Sequence, residues 1–348
     1  MKHFSILLVL LLLPRIFLAA AEYNEGDIRL VLTEKTGRFS LYFKNQDSQY
    51  EPVIFEQDPR TSFISVLLND RAYKLGDTMT FRTNIGSNPD VPSLIFESSQ
   101  LIVTQEFFFI KTAGSNIVNG VEIKITLESK SAAEINAGFR FLLDTFLGEP
   151  GSAPHFLIDL RPVTSETLIN KGSDDIVWFS RNSSLSLMGS LNLPERQNPD
   201  SVYFANWKRL SDVAWKMPFD GSRNFNSPPY SIGDSAVCYY FEPRSYSRGE
   251  TFSASVLLAK EDSRGFAPLP SEAVIAAASP AQRTSGRNAE LPNTVSEEDG
   301  DLVLLQDLIS RIDNYLLADD ISEEELAAME QTLDRLKLKY GNGSGLQR

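Results

Sequence analysis

The residues whose types best suit chemistry gather on one stretch, Gly138–Asp159, which reads GFRFLLDTFLGEPGSAPHFLID. An apolar run carries Arg140 and Asp144, a loop rich in Gly and Pro follows with Glu149, and a second apolar run opens at His155 and includes Asp159. An unpaired charge is costly in an apolar interior, so Arg140 and Asp144 are expected to meet partners inside the fold. Two of Asp144, Glu149, Asp159, Asp234 and Glu242 suit the acid and base of glycoside chemistry. The same acids equally suit buried pairing with other strands or, for Glu149, solvation in the loop. A calcium site built from Asp144, Glu149 and loop carbonyls is a further reading, although its oxygen ligands are few. Arg60, in Asp58-Pro59-Arg60-Thr61-Ser62, either orients a carboxylate or sugar or pairs with Asp58 or a core acid.

Several activities are disfavoured by what the chain lacks. There are two histidines, and His3 lies in the leader described below, which leaves His155 without a companion for a Ser-His-Asp or Cys-His arrangement. His155 is therefore expected to be structural, at the junction of loop and strand. The single cysteine, Cys238, sits in the apolar run Ala236–Tyr240 and reads as a buried thiol. One His and one Cys do not make a common zinc site, and no phosphate loop or dinucleotide fingerprint is present. No catalytic residue, metal ligand or cofactor is assigned.

These residues must be positioned by strands. From Asp27 to about Lys260 the chain is a series of short apolar or alternating runs separated by turn residues, such as Thr36-Gly37 and Asn69-Asp70. That spacing predicts a mainly β protein, one large antiparallel sandwich over 22–260. The segment Leu193–Pro229, with five prolines and with Trp207 and Trp215, reads as an irregular loop. It is expected to plug one end of the sandwich, the alternative being a binding surface. If a glycan binds, the candidate residues are Asp144, Glu149, His155, Trp207 and Trp215.

The ends of the chain differ in character. Met1–His3 is basic, Phe4–Leu13 is apolar and Ala19–Ala21 is small, which reads as a secretory signal over 1–21 cleaved near Ala21, and hence an exported, periplasmic protein. No later stretch is long enough to span a bilayer. Without 1–21 the chain has 31 basic and 46 acidic residues, a balance that argues against nucleic acid and anionic membranes. Residues 261–300 read as a disordered linker. A helical hairpin is predicted over 301–341, followed by a flexible tail at 342–348. Its stripes include Leu308 and Ile312 on one helix and Leu333 and Leu336 on the other, with Ser322–Glu325 as a capping box. Two such short helices need another surface to bury their stripes, either the sandwich or another chain.

Gly26–Leu30, Thr36–Ser40, Gln105-Glu106, Leu143-Asp144-Thr145, Asp234–Val237 and Tyr240–Pro243 together carry a resemblance. Over about residues 26–260 the chain resembles exported β-sandwich proteins of bacteria, spirochaetes especially. Its sandwich is similar to that of galactose mutarotases and of non-catalytic domains of glycoside hydrolases. The resemblance implies a fold and a compartment. Mutarotases use a pair of histidines with an acid, which His155 alone does not supply. The leading expectation is therefore a non-enzymatic periplasmic binding or assembly protein whose hairpin docks on a protein partner or self-associates. The alternative is carbohydrate binding or processing on the sandwich.

Overall fold

The computed structural model describes residues 20–149, 155–194, 196–229 and 231–267. The chain divides into two compact units, Met1–Ser271 and Glu272–Arg348. The second unit, with the predicted hairpin and its Leu308, Ile312, Leu333 and Leu336, lies outside the described residues, as do most of the leader and of the predicted linker.

Three antiparallel sheets form the described unit. Four strands, β1 (Ala20–Glu25), β2 (Ile28–Thr33), β3 (Arg38–Lys44) and β4 (Tyr50–Pro52), lie in sequence order. The expected cleavage point falls inside β1. A six-stranded sheet has β5 (Phe63–Leu68) beside β6 (Arg71–Lys74) at one edge. Its centre is β11 (Ile135–Asp144) next to β18 (Ser235–Tyr246), followed by β17 (Ser201–Asn206) and β14 (Thr167–Asn170). The nine-stranded sheet runs from β7 (Arg82–Ile85), β8 (Ser93–Glu97), β9 (Leu101–Ile110) and β10 (Gly120–Ser129) to β19 (Thr251–Lys260). It continues through β16 (Ser186–Ser190), β15 (Val177–Arg181) and β12 (Phe156–Ile158) to β13 (Arg161–Val163).

Alternation explains how the sheets stack. In β2, Ile28, Leu30 and Leu32 are buried while Arg29, Val31 and Thr33 are half-exposed, as a strand with one covered face requires. Side chains of all three sheets meet in one core. Phe39 of the four-stranded sheet packs on Phe107 at 5.1 Å and on Phe141 at 6.2 Å, one from each of the other two. Trp178 Nε1 donates to the Tyr239 hydroxyl at 2.7 Å, and that hydroxyl donates to the Ser190 carbonyl at 3.1 Å, so the two large sheets are hydrogen-bonded through the core. The Asn69-Asp70 turn has φ of 48° and 65°, the left-handed pair of a tight hairpin. Cys238 is buried and free, with its thiol pushed up to about 11 by burial.

Strand β11 is buried on both faces, and this organises the site. Phe139, Phe141 and Leu143 point into the inter-sheet core. Leu142 points the other way, with Ala236, Cys238, Tyr240, Tyr203 and Leu210, into a second cluster. That second face is covered by the segment expected to be a plug, with Trp207 and Trp215 half-buried against it.

The segment is not wholly irregular, however. It contains β17, buried at all six positions, and a helix, α1 (Trp207–Asp212). Ser-Val-Tyr-Phe-Ala-Asn shows no alternation because both faces are covered, and its flanking Pro and Asn residues make it look like loop. The described chain also continues in order past Lys260. Asp262 accepts hydrogen bonds from the Thr112 hydroxyl and the Gly114 amide, both at 2.6 Å.

Candidate functional site

Three carboxylates converge at the end of the six-stranded sheet. Asp144 is the last residue of β11, Asp234 immediately precedes β18, and Glu149 lies in the loop that leaves β11. The register sets Asp144 opposite Ala236, two residues into the strand that Asp234 introduces. One oxygen from each of Asp144, Glu149 and Asp234 lies within 4.8 Å of the others. Asp144 is buried, and the other two are half-buried.

Each acid is held by short polar side chains rather than by a cation. The Ser62 hydroxyl accepts the Asp144 backbone N–H at 2.9 Å, and the Thr61 hydroxyl reaches the Asp144 carboxylate. Glu149 Oε1 accepts from the Ser235 amide at 2.8 Å and from its hydroxyl at 3.2 Å. Ser231 donates to Asp234 Oδ2 at 2.6 Å. Asn206, fully buried at the end of β17, fixes the Asp234 backbone. Its amide donates to the carbonyls of Asp234 at 2.9 Å and Phe225 at 3.1 Å and to Ser231 Oγ at 2.7 Å, while its oxygen caps α1 at Arg209.

Burial dominates the electrostatics. Asp144 is pushed up to about 7 by desolvation first, with Asp234, Glu149 and Asp58 adding repulsion against the opposing Thr61 bond. Glu149 is also pushed up to about 7 by desolvation, and Asp234 repels it further while its bonds to Ser235 oppose the rise. Asp234 is raised by burial, against the Ser231 bond and the attraction of His155. Among the described residues no Lys or Arg pairs with any of the three. Burial and mutual repulsion favour protonation of the cluster, and a protonated carboxyl in it donates where an ionised one accepts.

The five predicted glycan-site residues are partly reunited. Asp144 and Glu149 belong to the cluster. His155 immediately precedes β12 and has Asp234 as its charged neighbour; burial holds it below the usual imidazole range. Its ring packs edge-on against Phe225 at 4.7 Å, and its Nδ1 is buried without a hydrogen-bond partner. Trp207 borders the cluster, donating from Nε1 to the Thr61 carbonyl at 2.9 Å and from its backbone to the Asp234 carbonyl at 3.2 Å. Trp215 is elsewhere on the same face, against Tyr240, because Arg140 holds its carbonyl.

The other candidates separate cleanly. Asp159 accepts the backbone amides of Ile176 and Val177, and Glu242 pairs with Lys216 at 2.9 Å. Arg60 pairs with Asp58 at 2.8 Å. Arg140 does find buried partners, as expected, but they are backbone carbonyls rather than acids: Val213 at 2.7 Å, Leu210 at 2.9 Å and Trp215 at 3.1 Å, with the Tyr240 hydroxyl at 3.3 Å. Thr61, Asn206, Ser231 and Ser235 were not foreseen. Only Asn206 carried a sequence signal, as a capping residue between an apolar run and Trp-Lys-Arg-Leu.

No protein-family model matches the sequence, and no curated protein resembles it in sequence. Among solved structures, the chain is similar to a galactose mutarotase related enzyme from Lactobacillus acidophilus, at 8% identity and a TM-score of 0.42, over 72% of this chain and 100% of that one. A putative aldose 1-epimerase from Escherichia coli K12 is similar at 9% identity and 0.40, over 70% and 99%. A galactose mutarotase-like protein from Lactobacillus casei gives 9% and 0.41, over 70% and 100%. Likeness at this level concerns the sandwich alone, so any activity has to be argued from the carboxylate cluster.

Proposed function

We propose that the chain recognises a carbohydrate, with Asp144, Glu149 and Asp234 as the polar centre of the site. The observation that carries this reading is the convergence of three acids that no Lys or Arg neutralises among the described residues. With Asp144 and Glu149 partly protonated near neutral pH, they offer sugar hydroxyls both donors and acceptors. Half-buried Trp207 borders them and supplies apolar surface of the kind sugar rings pack against. The test is a glycan screen with the full-length protein, followed by calorimetry. The expected result is a neutral oligosaccharide ligand whose affinity falls at least tenfold, about 1.4 kcal/mol, in Asp144→Asn/Glu149→Gln. No ligand in the screen, or a ligand unaffected by that double substitution, would overturn the reading.

The same three oxygens, 4.8 Å apart or closer, also favour a second reading, a calcium ion held with the help of loop carbonyls. Calcium raising the melting temperature, with reversal by chelator and loss in Asp144→Asn, supports it; no shift at millimolar calcium removes it.

Docking of the C-terminal hairpin in the periplasm remains a separate proposal that rests on the stripes of Leu308, Ile312, Leu333 and Leu336. Replacing all four by Asp should abolish recovery of a protein partner in pull-downs while the sandwich keeps its melting temperature. A sharp fall in that temperature with partners unchanged would contradict it.

A further inference from the structure

The outward face of the four-stranded sheet carries a second polar constellation, apart from the carboxylate cluster. Register places Arg29 of β2 opposite Tyr42 of β3, and Lys44 of β3 opposite Tyr50 of β4. All four are half-buried. The Arg29 guanidinium lies 3.9 Å from the Tyr42 ring centroid and 5.2 Å from that of Tyr50, while Lys44 Nζ lies 5.4 Å from the Tyr50 ring.

Arg29 is held by rings rather than by an acid. Acidic residues outnumber basic ones by 46 to 33, so a carboxylate partner would be easy to supply. Yet among the described residues Arg29 makes no ion pair, and its Nε is buried without a hydrogen-bond partner. Glu22, on the neighbouring strand, accepts from Asn24 at 3.0 Å, and Glu56 sits at the Tyr42 hydroxyl. Lys44 donates to the Gly26 carbonyl at 2.9 Å, which leaves its remaining protons available.

A guanidinium braced over a tyrosine ring has a planar fork and is less strongly hydrated than an ammonium, which suits bidentate capture of a carboxylate. Tyr50 is half-buried, so part of its ring faces solvent beside the two cations. We infer that this face binds a carboxylate-bearing sugar, a uronate, with Arg29 on the carboxylate, Tyr50 under the ring and Lys44 at a hydroxyl or second oxygen. The site is independent of the carboxylate cluster.

The test uses full-length protein and a galacturonic acid trimer as probe, titrated by calorimetry at low salt beside the neutral galactose trimer. The expected result is uronate binding that falls at least tenfold in Arg29→Gln and severalfold in Tyr50→Ala. Arg29→Lys should also weaken it, because a point charge replaces the fork. Arg29→Gln should leave any neutral-sugar binding unchanged and should melt within a few degrees of wild type. Absence of uronate binding to the wild-type chain would overturn the inference and leave the constellation a cross-strand stack. Uronate affinity equal in wild type and Arg29→Lys, or equal in wild type and Arg29→Gln, would also overturn it.

Discussion

Two positions on one strand handle buried charge in opposite ways. Arg140, near the middle of β11, is surrounded by three carbonyls that α1 and the loop after it deliver and by the Tyr240 hydroxyl of β18. Asp144, four residues further on and on the same face, ends among two more acids and meets only hydroxyls and amides. The first arrangement gives both terminal guanidinium nitrogens oxygen partners, leaving only Nε without one, and holds the cover onto the sheet. The second leaves negative charge to be settled by protons or by a ligand. Charge that a fold satisfies reads as architecture, and charge that it concentrates without a counter-ion reads as a site.

Breaking the satisfied position should have the largest effect. Arg140→Met strands the carbonyls of Leu210, Val213 and Trp215 in a buried face, each left unsatisfied at a cost of about 1–3 kcal/mol, so denaturation should show a clear loss of stability, with the Trp207 and Trp215 fluorescence becoming solvent-exposed. Stability unchanged within 1 kcal/mol, by roughly the measure of a single ordinary hydrogen bond, would mean that the carbonyls are not buried by the cover.

The unsatisfied position should behave in the reverse sense, because its acids are destabilising when ionised. Asp144 moves from an unfolded value of 3.8 to about 7 in the fold. Its penalty is therefore absent below about pH 4, where both states are protonated, and complete once the pH has risen past about 7. Asp144→Asn should raise stability by up to about 4 kcal/mol at pH 8 and hardly at all at pH 4. Melting curves across that range check it; equal effects at both ends would show that Asp144 ionises normally.

Smaller changes sharpen the contrast within the site. A Cβ on Gly148 would lie 2.3 Å from the His155 carbonyl oxygen and 2.9 Å from its Cα, both backbone atoms that cannot swing aside. Gly148→Ala should cost about 1–3 kcal/mol and, by shifting adjacent Glu149, should weaken glycan binding as well. Trp207→Phe keeps most of the packing and loses the bond to the Thr61 carbonyl, for about 1 kcal/mol, read by chemical denaturation.

The fold was largely legible because most strands keep one covered face and therefore alternate, as in β2, or end in recognisable turns, as at Asn69-Asp70. Strand β17 escaped because burial on both faces erases alternation. The very short strands β4, β13 and β14 hold too few residues for any period. At the site, Asp144 and Glu149 stood out as ionisable residues on an apolar stretch. Asp234 was one of several equal candidates. Nothing in its spacing separates it from Asp159 or Glu242, since only the pairing of β11 with β18 across some 90 residues brings it to Asp144. The partners of Arg140 were not legible at all, because backbone carbonyls are donated by conformation and not by residue type.

The most direct test of the account is a carboxyl-carbon NMR titration of the full-length protein labelled at Asp and Glu. Asp144 and Glu149 are assigned by comparison with Asp144→Asn and Glu149→Gln. Both are expected to titrate with midpoints near 7, and the Asp144 midpoint should move down in Glu149→Gln. Titration of both below pH 5 would contradict the proton-holding cluster and the carbohydrate site built on it.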